Sequence, residues 1–350
     1  MKQHNFGAGP GILPQEVLQE SANAILNFNN SGLSILEISH RSGAYEAVME
    51  EARSLVRELL NVPITHEVLF LHGGASTQFA MAPWNLLKQK AGYIESGVWA
   101  QKAIQEAKML GEVEIVASSS DKNFSFLPTD YSIPTDIDYL HITSNNTIYG
   151  TQMKSFPKTI MPLVCDMSSD IFSRPIDVSQ FGLIYAGAQK NMGPAGATLV
   201  IVQKDLLGQS GRKINSMLDY AVHIKAESMY NTPPTFPVYV CMLTLRWLKK
   251  MGGVVAIEQK NIEKATLFYD ALDCNPLFTG NVAKEDRSLM NACFNLNDPS
   301  MSSRFLEDCE NNGIVGIKGH RLSGGFRASL YNALPIESVH KLIEVMSNFK

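Results

Sequence analysis

The stretch that decides the fold reads Leu183-Ile-Tyr-Ala-Gly-Ala-Gln-Lys190-Asn-Met-Gly-Pro-Ala-Gly196, and the apolar run Thr198–Val202 follows it. Two short apolar runs joined by a turn of small residues are typical of two buried strands. The pattern therefore predicts that Lys190 is held between two strands. Burial there would lower the pKa of the lysine, as a Schiff-base amine requires. The alternative is a surface lysine whose amine reaches solvent.

Similar apolar runs alternate with amphipathic helical patterns towards the N-terminus. This alternation predicts an α/β fold with a mainly parallel sheet, in which ligands bind beyond the carboxyl ends of the strands. We therefore look for functional residues just after each run. The predicted strands are Glu67–Leu71, Ala91–Ile94, Tyr139–Thr143, Ile160–Cys165, Leu183–Ala186 and Thr198–Val202.

A chain of 350 residues exceeds the usual size of a single core. We predict a large domain over residues 15–255 and a smaller C-terminal α/β domain over 256–350, with an N-terminal arm, 1–14, packing on the smaller one. The smaller domain has helical patterns at Ala256–Leu272 and Ser303–Asn312, and strand patterns at Leu289–Leu296 and Gly325–Leu330.

Composition and charge exclude several classes of function. A net charge of −4 provides no general attraction to nucleic acid or membrane, so an anionic ligand would need a local group of cations. The sequence lacks an apolar run long enough to span a membrane, and we expect a cytosolic protein. The five cysteines are widely spaced and form no metal-binding motif, so we expect no metal; they are Cys165, Cys241, Cys274, Cys293 and Cys309.

Two further features follow predicted strands. Asp166 comes directly after an apolar run, where its carboxylate could keep a cofactor's pyridine nitrogen protonated or could cap a turn. The sequence His72-Gly-Gly-Ala-Ser-Thr-Gln78 precedes a helical pattern at Phe79–Lys88. The backbone amides of Ala75 and Ser76 could bind a phosphate there, although many Gly-Gly pairs form only a tight turn.

An aromatic residue and a hydroxyl also follow predicted strands. Trp99 stands near the start of the helical pattern Ala100–Leu110, where it could stack on a flat cofactor or pack in the core. Thr147 could donate to a cofactor or cap a turn.

Two His-Arg pairs, His40-Arg41 and His320-Arg321, and the nearby Arg327 are the candidate anion-binding residues. The guanidinium group binds carboxylate and phosphate with two parallel hydrogen bonds. If they converge, these side chains fit a ligand that carries both groups. If they do not, they are ordinary surface charges.

The sequence resembles the phosphoserine aminotransferase family over nearly its whole length. The strongest resemblance is in Ser173–Gly196, around Lys190. The other matching segments are Asn5–Pro10, Glu37–Arg41, Tyr230–Thr235, Lys318–Arg321 and Arg327–Asn332.

The resemblance implies an aspartate-aminotransferase-like fold that binds pyridoxal 5'-phosphate and works as a homodimer with shared sites. Lys190 would bind the cofactor covalently, and Asp166 would hold its pyridine nitrogen. Trp99 would stack on the ring and Thr147 would bond its phenolic side. The cofactor phosphate would be bound by Ala75, Ser76 and Gln189, and by Asn231 and Thr232 of the other subunit.

The resemblance also implies the reaction. L-Glutamate would give its amino group to 3-phosphohydroxypyruvate, forming O-phospho-L-serine and 2-oxoglutarate in serine synthesis. Some family members also act on a phosphorylated four-carbon intermediate of pyridoxine synthesis. Arg327 would bind the α-carboxylate, and the distal group would be surrounded by His40, Arg41, His320 and Arg321.

Three alternatives to this reading remain. One is another enzyme of the same fold, such as a serine–pyruvate or alanine–glyoxylate aminotransferase or a cysteine desulfurase, although these need no phosphate pocket. A nucleotide-binding dehydrogenase is less favoured because no Gly-x-Gly-x-x-Gly follows a strand. The third alternative is a noncatalytic binding protein, in which the occurrence of Lys190, Asp166 and Trp99 after strands would be accidental.

Overall fold

The structure is a computed structural model that describes residues 3–350. Within this range the α-helices lie on both sides of a central sheet and around a smaller sheet near the C-terminus. They are α1 (Gln15–Asn27), α2 (Gly43–Leu60), α3 (Gly74–Leu86), α4 (Val98–Lys108), α5 (Tyr220–Lys225), α6 (Thr235–Lys250), α7 (Gly253–Cys274), α8 (Ser302–Asn311) and α9 (Ile336–Asn348).

The strands of the described residues form three sheets. They are β1 (His4–Asn5), β2 (His66–Leu71), β3 (Lys90–Glu95), β4 (Glu112–Ser118), β5 (Leu140–Thr143), β6 (Leu163–Asp166), β7 (Leu183–Gly187), β8 (Thr198–Gln203), β9 (Phe278–Gly280), β10 (Asn291–Leu296), β11 (Ile314–Val315) and β12 (Phe326–Ser329).

The central sheet has seven strands in the order β2-β8-β7-β6-β5-β3-β4. The pairs from β4 to β7 are all parallel, whereas β8 pairs antiparallel with both of its neighbours, β7 and β2. The sheet is therefore mainly parallel, as predicted, and the carboxyl ends of β2, β3, β5, β6 and β7 lie at one edge. Binding residues are expected at this edge.

Helices cover both faces of the central strands, which is why these strands are apolar throughout. In β7, Leu183 and Tyr185 pack on the side of α3 and α4, and Ile184 and Ala186 pack on the side of α2 and α6. Successive side chains of this one strand therefore pack alternately into the two apolar layers on either side of the sheet. The turn after it is held firmly because both faces are buried.

Helix α2 illustrates how the flanking helices are specified. Ser42 caps its N-terminus by accepting a hydrogen bond from the Tyr45 amide at 3.4 Å, and Asn61 ends it in the left-handed conformation, with a φ of 49°. Val48, Ala52 and Leu55 are buried on one face, at the spacing of an amphipathic helix.

A separate apolar cluster, formed by Phe6 and side chains from 265–349, lies around the antiparallel sheet β12-β10-β9. The N-terminal arm pairs here, since His4 and Asn5 lie beside Ile314 and Val315 in a parallel ladder. The boundary that we predict between residues 255 and 256 falls in the first turn of α7.

Several element bounds differ from the predictions, and three of the differences concern the site or the edge of the sheet. Helix α3 begins at Gly74, five residues before the predicted start, because its first turn contains the glycine pair. Helix α4 begins at Val98, so Trp99 lies inside it. Strand β4 has no counterpart among the predicted strands; it is an edge strand whose side chains are mostly half-exposed.

Candidate active site

A cavity of about 260 Å³ lies at the carboxyl ends of the parallel strands. Seven of the predicted site residues line it, so the structure brings together groups that are far apart in the sequence. The predicted residues in its lining are Ala75, Ser76, Trp99, Thr147, Asp166, Gln189 and Lys190.

Lys190 lies three residues beyond the end of β7, and its amine is held in position by a hydrogen bond to Thr147. The Nζ atom donates a hydrogen bond to Thr147 Oγ1 at 2.8 Å and lies 5.7 Å from the centre of the Trp99 ring. Burial lowers the pKa of Lys190 to about 8, an effect that Asp166 opposes and Arg327 reinforces. The neutral amine, which can act as a nucleophile, is therefore accessible near neutral pH.

Asp166 is the last residue of β6 and is 4% exposed. Its Oδ1 accepts a hydrogen bond from the Ser168 amide at 2.9 Å. Burial raises the pKa of Asp166, whereas this hydrogen bond and the charge of Lys190 act in the opposite direction. A buried carboxylate of this kind is suited to a cationic or N–H partner in the cavity.

The turn between β2 and α3 is built from two glycines in left-handed conformations, with φ values of 90° at Gly73 and 65° at Gly74. A Cβ atom on Gly73 would collide with the Thr77 side chain, so the close approach requires glycine. The first turn of α3 places Ala75 and Ser76 in the cavity lining. Free amides at a helix N-terminus form an anion-binding site.

Three polar groups near the cavity have no partner within the protein. The Trp99 Nε1, Thr143 Oγ1 and Arg327 Nε atoms are buried and make no hydrogen bond among residues 3–350. Buried polar atoms are seldom left unpaired. These atoms therefore indicate a place where a bound molecule completes the hydrogen bonding.

Arg327 lies in β12 of the smaller sheet and contacts Thr147, which lines the cavity. Its Nη1 donates to the Thr147 carbonyl oxygen at 3.1 Å, so Arg327 and Lys190 contact the same residue. His320 and Arg321 are close to it: burial lowers the pKa of His320, and the charges of Arg327, Arg321 and Lys102 add to the effect. Three of the five predicted anion-binding residues, His320, Arg321 and Arg327, therefore lie near one another.

The remaining predicted residues are not brought into the cavity. His40 is half-buried with an unpaired Nε2, and the Arg41 side chain is exposed and has no ion pair among residues 3–350. The Thr232 carbonyl oxygen lies 2.8 Å from His72 Nε2, within hydrogen-bonding distance. Asn231 lines a different cavity, of about 150 Å³, behind the glycine turn.

Several cavity residues were not predicted from the sequence. Thr143, Asn145, Ser168 and Ser169 also line the cavity, and Asn145 Nδ2 donates to Ser169 Oγ at 2.7 Å. Thr143 is the last residue of β5 and the other three follow β5 or β6, and this position is the one signal that could have identified them. Hydroxyl and amide side chains are too common in loops for the residue type to stand out.

The N-terminal arm closes over the turn that carries Lys190. The Gly11 amide donates to the Gln189 carbonyl oxygen at 2.6 Å, and Tyr331 Oη donates to the Ala8 carbonyl oxygen at 2.8 Å. The smaller sheet is thereby linked to the active-site turn.

Residues 3–350 include no group of three or more side chains that could hold a metal ion. No helix in the same range is long and apolar enough to cross a membrane.

Comparisons with known proteins agree with this geometry. Residues 3–342 match the family model described as aminotransferase class-V. The chain is 60% identical to a phosphoserine aminotransferase of Flavobacterium johnsoniae, over 99% of this chain and 98% of that one.

Two solved structures are also similar. The phosphoserine aminotransferase of Bacillus circulans subsp. alkalophilus has a TM-score of 0.97 and 46% identity, covering 99% of this chain and 98% of that one. A PLP-bound phosphoserine aminotransferase of Trichomonas vaginalis has a TM-score of 0.93 and 36% identity, covering 99% and 100%.

Proposed function

Because this chain belongs to the class-V aminotransferase family, we propose that it transfers the amino group of L-glutamate to 3-phosphohydroxypyruvate. The products are O-phospho-L-serine and 2-oxoglutarate. The observation that carries this proposal is the pairing of Lys190 with Asp166 in one cavity, beside cations that have no carboxylate partner. It is supported by the likeness to phosphoserine aminotransferases over the full length.

The cavity fits pyridoxal 5'-phosphate, the cofactor that the relatives imply. The unpaired Thr143 Oγ1 atom offers a hydrogen-bonding hydroxyl, the Trp99 ring offers an apolar face, and Asp166 offers a buried carboxylate to a pyridine nitrogen. The glycine turn, in which Gly73 packs too closely against Thr77 for a side chain, leads into the Ala75 and Ser76 amides that would bind the phosphate. Lys190 would hold the group covalently, with Gln189 beside the phosphate.

When bound, the cofactor withdraws electrons from the Cα atom of the amino acid. Asp166 supports this chemistry because its negative charge favours a protonated ring nitrogen. The desolvated site strengthens that interaction, since Asp166 is buried at the end of a central strand.

Lys190 moves the proton. Once its Nζ is free, the neutral amine can take a proton from the substrate's Cα atom and return it to a neighbouring carbon. Thr147 Oγ1, 2.8 Å from Nζ, fixes the position of the amine. A pKa of about 8 allows the same atom to accept and to release a proton near neutral pH.

The cations bind and orient the two anionic ends of the substrate. Arg327 would bind the α-carboxylate, because it is the arginine in contact with Thr147. His320 and Arg321 would bind the distal phosphate or carboxylate, together with His40 and Arg41. Arginine suits both groups because its planar fork donates two hydrogen bonds.

We also propose a homodimer in which two subunits complete each site. The support is that Arg41 and Thr232 are exposed outside the cavity, and that two leucines preceding Arg41 in the sequence are exposed as well. Leu26 is 80% exposed and Leu36 is 59% exposed, which would be unfavourable unless a partner covers them. Sedimentation of the purified protein would give twice the chain mass, and a monomeric mass would contradict the shared site.

We also propose that the enzyme acts in serine synthesis in the cytosol. Its five free cysteines, four of them buried, are typical of proteins in a reducing compartment. A phosphorylated four-carbon substrate of pyridoxine synthesis differs mainly in length, so we propose it as a second substrate. The ratio of kcat/KM for the two substrates would measure this directly.

Steady-state kinetics and two lysine variants test the proposed reaction. Initial rates with L-glutamate and 3-phosphohydroxypyruvate would give parallel double-reciprocal lines, because the amino group leaves one substrate before the other binds. Lys190→Ala and Lys190→Arg would both lose turnover, since arginine keeps the charge but cannot supply a neutral amine. Intersecting lines, or turnover in either variant, would contradict the mechanism.

A further inference from the structure

Lys102 occupies a position that the reaction described above does not use. It lies on α4 three residues after Trp99, a spacing that places both side chains on the same face of the helix. Its Nζ atom lies 4.8 Å from the centre of the Trp99 ring, and Lys190 Nζ lies 5.7 Å from the same centre. One indole ring thus contacts both the catalytic amine and a second cation.

The charge of Lys102 belongs to a group of basic side chains near Trp99, which lines the cavity. Lys102, Arg321 and Arg327 all act on the imidazole of His320, so the four side chains share one region. Within residues 3–350, none of the four forms an ion pair with a carboxylate. Some exposed lysines have a carboxylate partner, as Lys249 has with Glu58 at 2.7 Å, so it is the neighbours of Lys102, and not the missing ion pair alone, that indicate an anion site.

A group of like charges without a carboxylate is unfavourable unless an anion is bound there. Arg327 is assigned to the α-carboxylate. Lys102 and Arg321 are therefore the two cations left beside His320 for the distal group, and a phosphate with nearly two negative charges matches two cations better than a carboxylate does. The ammonium group of lysine is a compact charge that binds phosphate without a fixed fork geometry. Lys102 would therefore favour a phosphorylated substrate over one that ends in a carboxylate.

We propose that Lys102 is a specificity-determining residue that binds the distal phosphate of the substrate next to His320 and Arg321. The inference rests on the proposed function, because it assigns one more residue to the same substrate. It goes beyond the residues predicted from the sequence, among which Lys102 does not appear. The competing explanation is that Lys102 only braces the Trp99 ring by a cation–π contact.

The test compares holoenzyme variants of two exposed lysines on the same helix. Lys102→Gln removes the proposed contact, and Lys108→Gln is the matched control because Lys108 lies at the far end of α4 and forms no ion pair among the described residues. The two keto acids are 3-phosphohydroxypyruvate and hydroxypyruvate, which differ only by the phosphate. L-Glutamate is the amino donor throughout.

In Lys102→Gln, kcat/KM for the phosphorylated keto acid would fall about tenfold, mainly through KM, as expected when one charged contact is lost. The loss with hydroxypyruvate would be much smaller, so the preference for the phosphorylated substrate would fall. Lys102→Arg would restore most of the preference, and inorganic phosphate would inhibit Lys102→Gln more weakly than the wild type. Lys108→Gln would match the wild type with both keto acids.

An unchanged preference in Lys102→Gln would overturn the proposal. Equal losses with both keto acids, together with weaker cofactor binding, would also overturn it and would assign Lys102 to bracing Trp99. If the wild type itself showed no preference for the phosphorylated keto acid, this result would contradict the proposed function, whatever Lys102→Gln showed. The two failures are therefore distinguishable.

Discussion

Replacing Lys264 by methionine would destabilise the protein, and more strongly at pH 9 than at pH 6. Lys264 lies in α7 and is 3% exposed. Its Nζ donates hydrogen bonds to the carbonyl oxygens of Leu330 at 2.9 Å and Tyr331 at 2.7 Å, just after the strand that carries Arg327. Burial lowers the pKa of Lys264 from 10.5 to about 7, and Lys260 adds a smaller effect in the same direction.

The magnitude follows from two separate contributions. Methionine cannot donate, so two buried carbonyl groups would lose their partner, at a cost of about 1–3 kcal/mol each. Above pH 7 the unfolded chain binds a proton at Lys264 that the folded chain does not, so the unfolding free energy of the wild type rises with pH. Between pH 6 and pH 9 this rise is about 2–3 kcal/mol, and the variant lacks it.

Urea unfolding at pH 6, 7.5 and 9, at one fixed protein concentration, measures the difference between the two proteins. Lys249→Met is the matched control, because Lys249 is exposed and its surface ion pair is worth about 0–1 kcal/mol. Its effect would be the same at each pH. A Lys264→Met difference that stays constant or shrinks as the pH rises would refute the role given to the buried amine.

Three further variants test parts of the site. Arg327→Lys would raise KM for both L-glutamate and the keto acid by about 10- to 100-fold, because both carry the α-carboxylate and lysine lacks the planar fork; unchanged KM values would move that role elsewhere. Gly73→Ala would weaken cofactor binding by at least about tenfold, because relief of the φ of 90° and of the collision with Thr77 would move the turn that carries the Ala75 and Ser76 amides, and a cofactor titration measures this. Asp166→Asn would lower the pKa of Lys190 further, since Asp166 raises it; a titration of the cofactor-free protein that moved the other way would contradict the assignment.

Much of the fold could be predicted because the central strands are buried on both faces. Continuous apolar runs such as Leu183–Ala186 and Thr198–Val202 correspond to β7 and β8 within one residue. The antiparallel direction of β8 could not be predicted, because an apolar run does not indicate strand direction. The edge strand β4 was missed because its side chains are mostly half-exposed and include the exposed Glu112 and Ile115, so its burial is too weak to stand out as an apolar run.

The site was predictable to the extent that it lies at strand ends. Lys190, Asp166 and Trp99 share one cavity because the ends of β7, β6 and β3 meet at one edge of the sheet. The positions of Arg41 and Thr232 relative to that cavity could not be predicted, since the sequence does not indicate which residues a second subunit supplies. Lys102 was missed because an exposed lysine on a helix is indistinguishable in sequence from an ordinary surface charge.

The visible spectrum of the purified protein, before and after O-phospho-L-serine and separately L-serine, tests the central claim most directly. The cofactor bound through Lys190 would give a visible absorption band, and O-phospho-L-serine would bleach it at concentrations at which L-serine has little effect. Equal bleaching by L-serine would contradict the phosphate site and leave the cofactor assignment intact. Absence of the band even after pyridoxal 5'-phosphate is added would contradict the account as a whole.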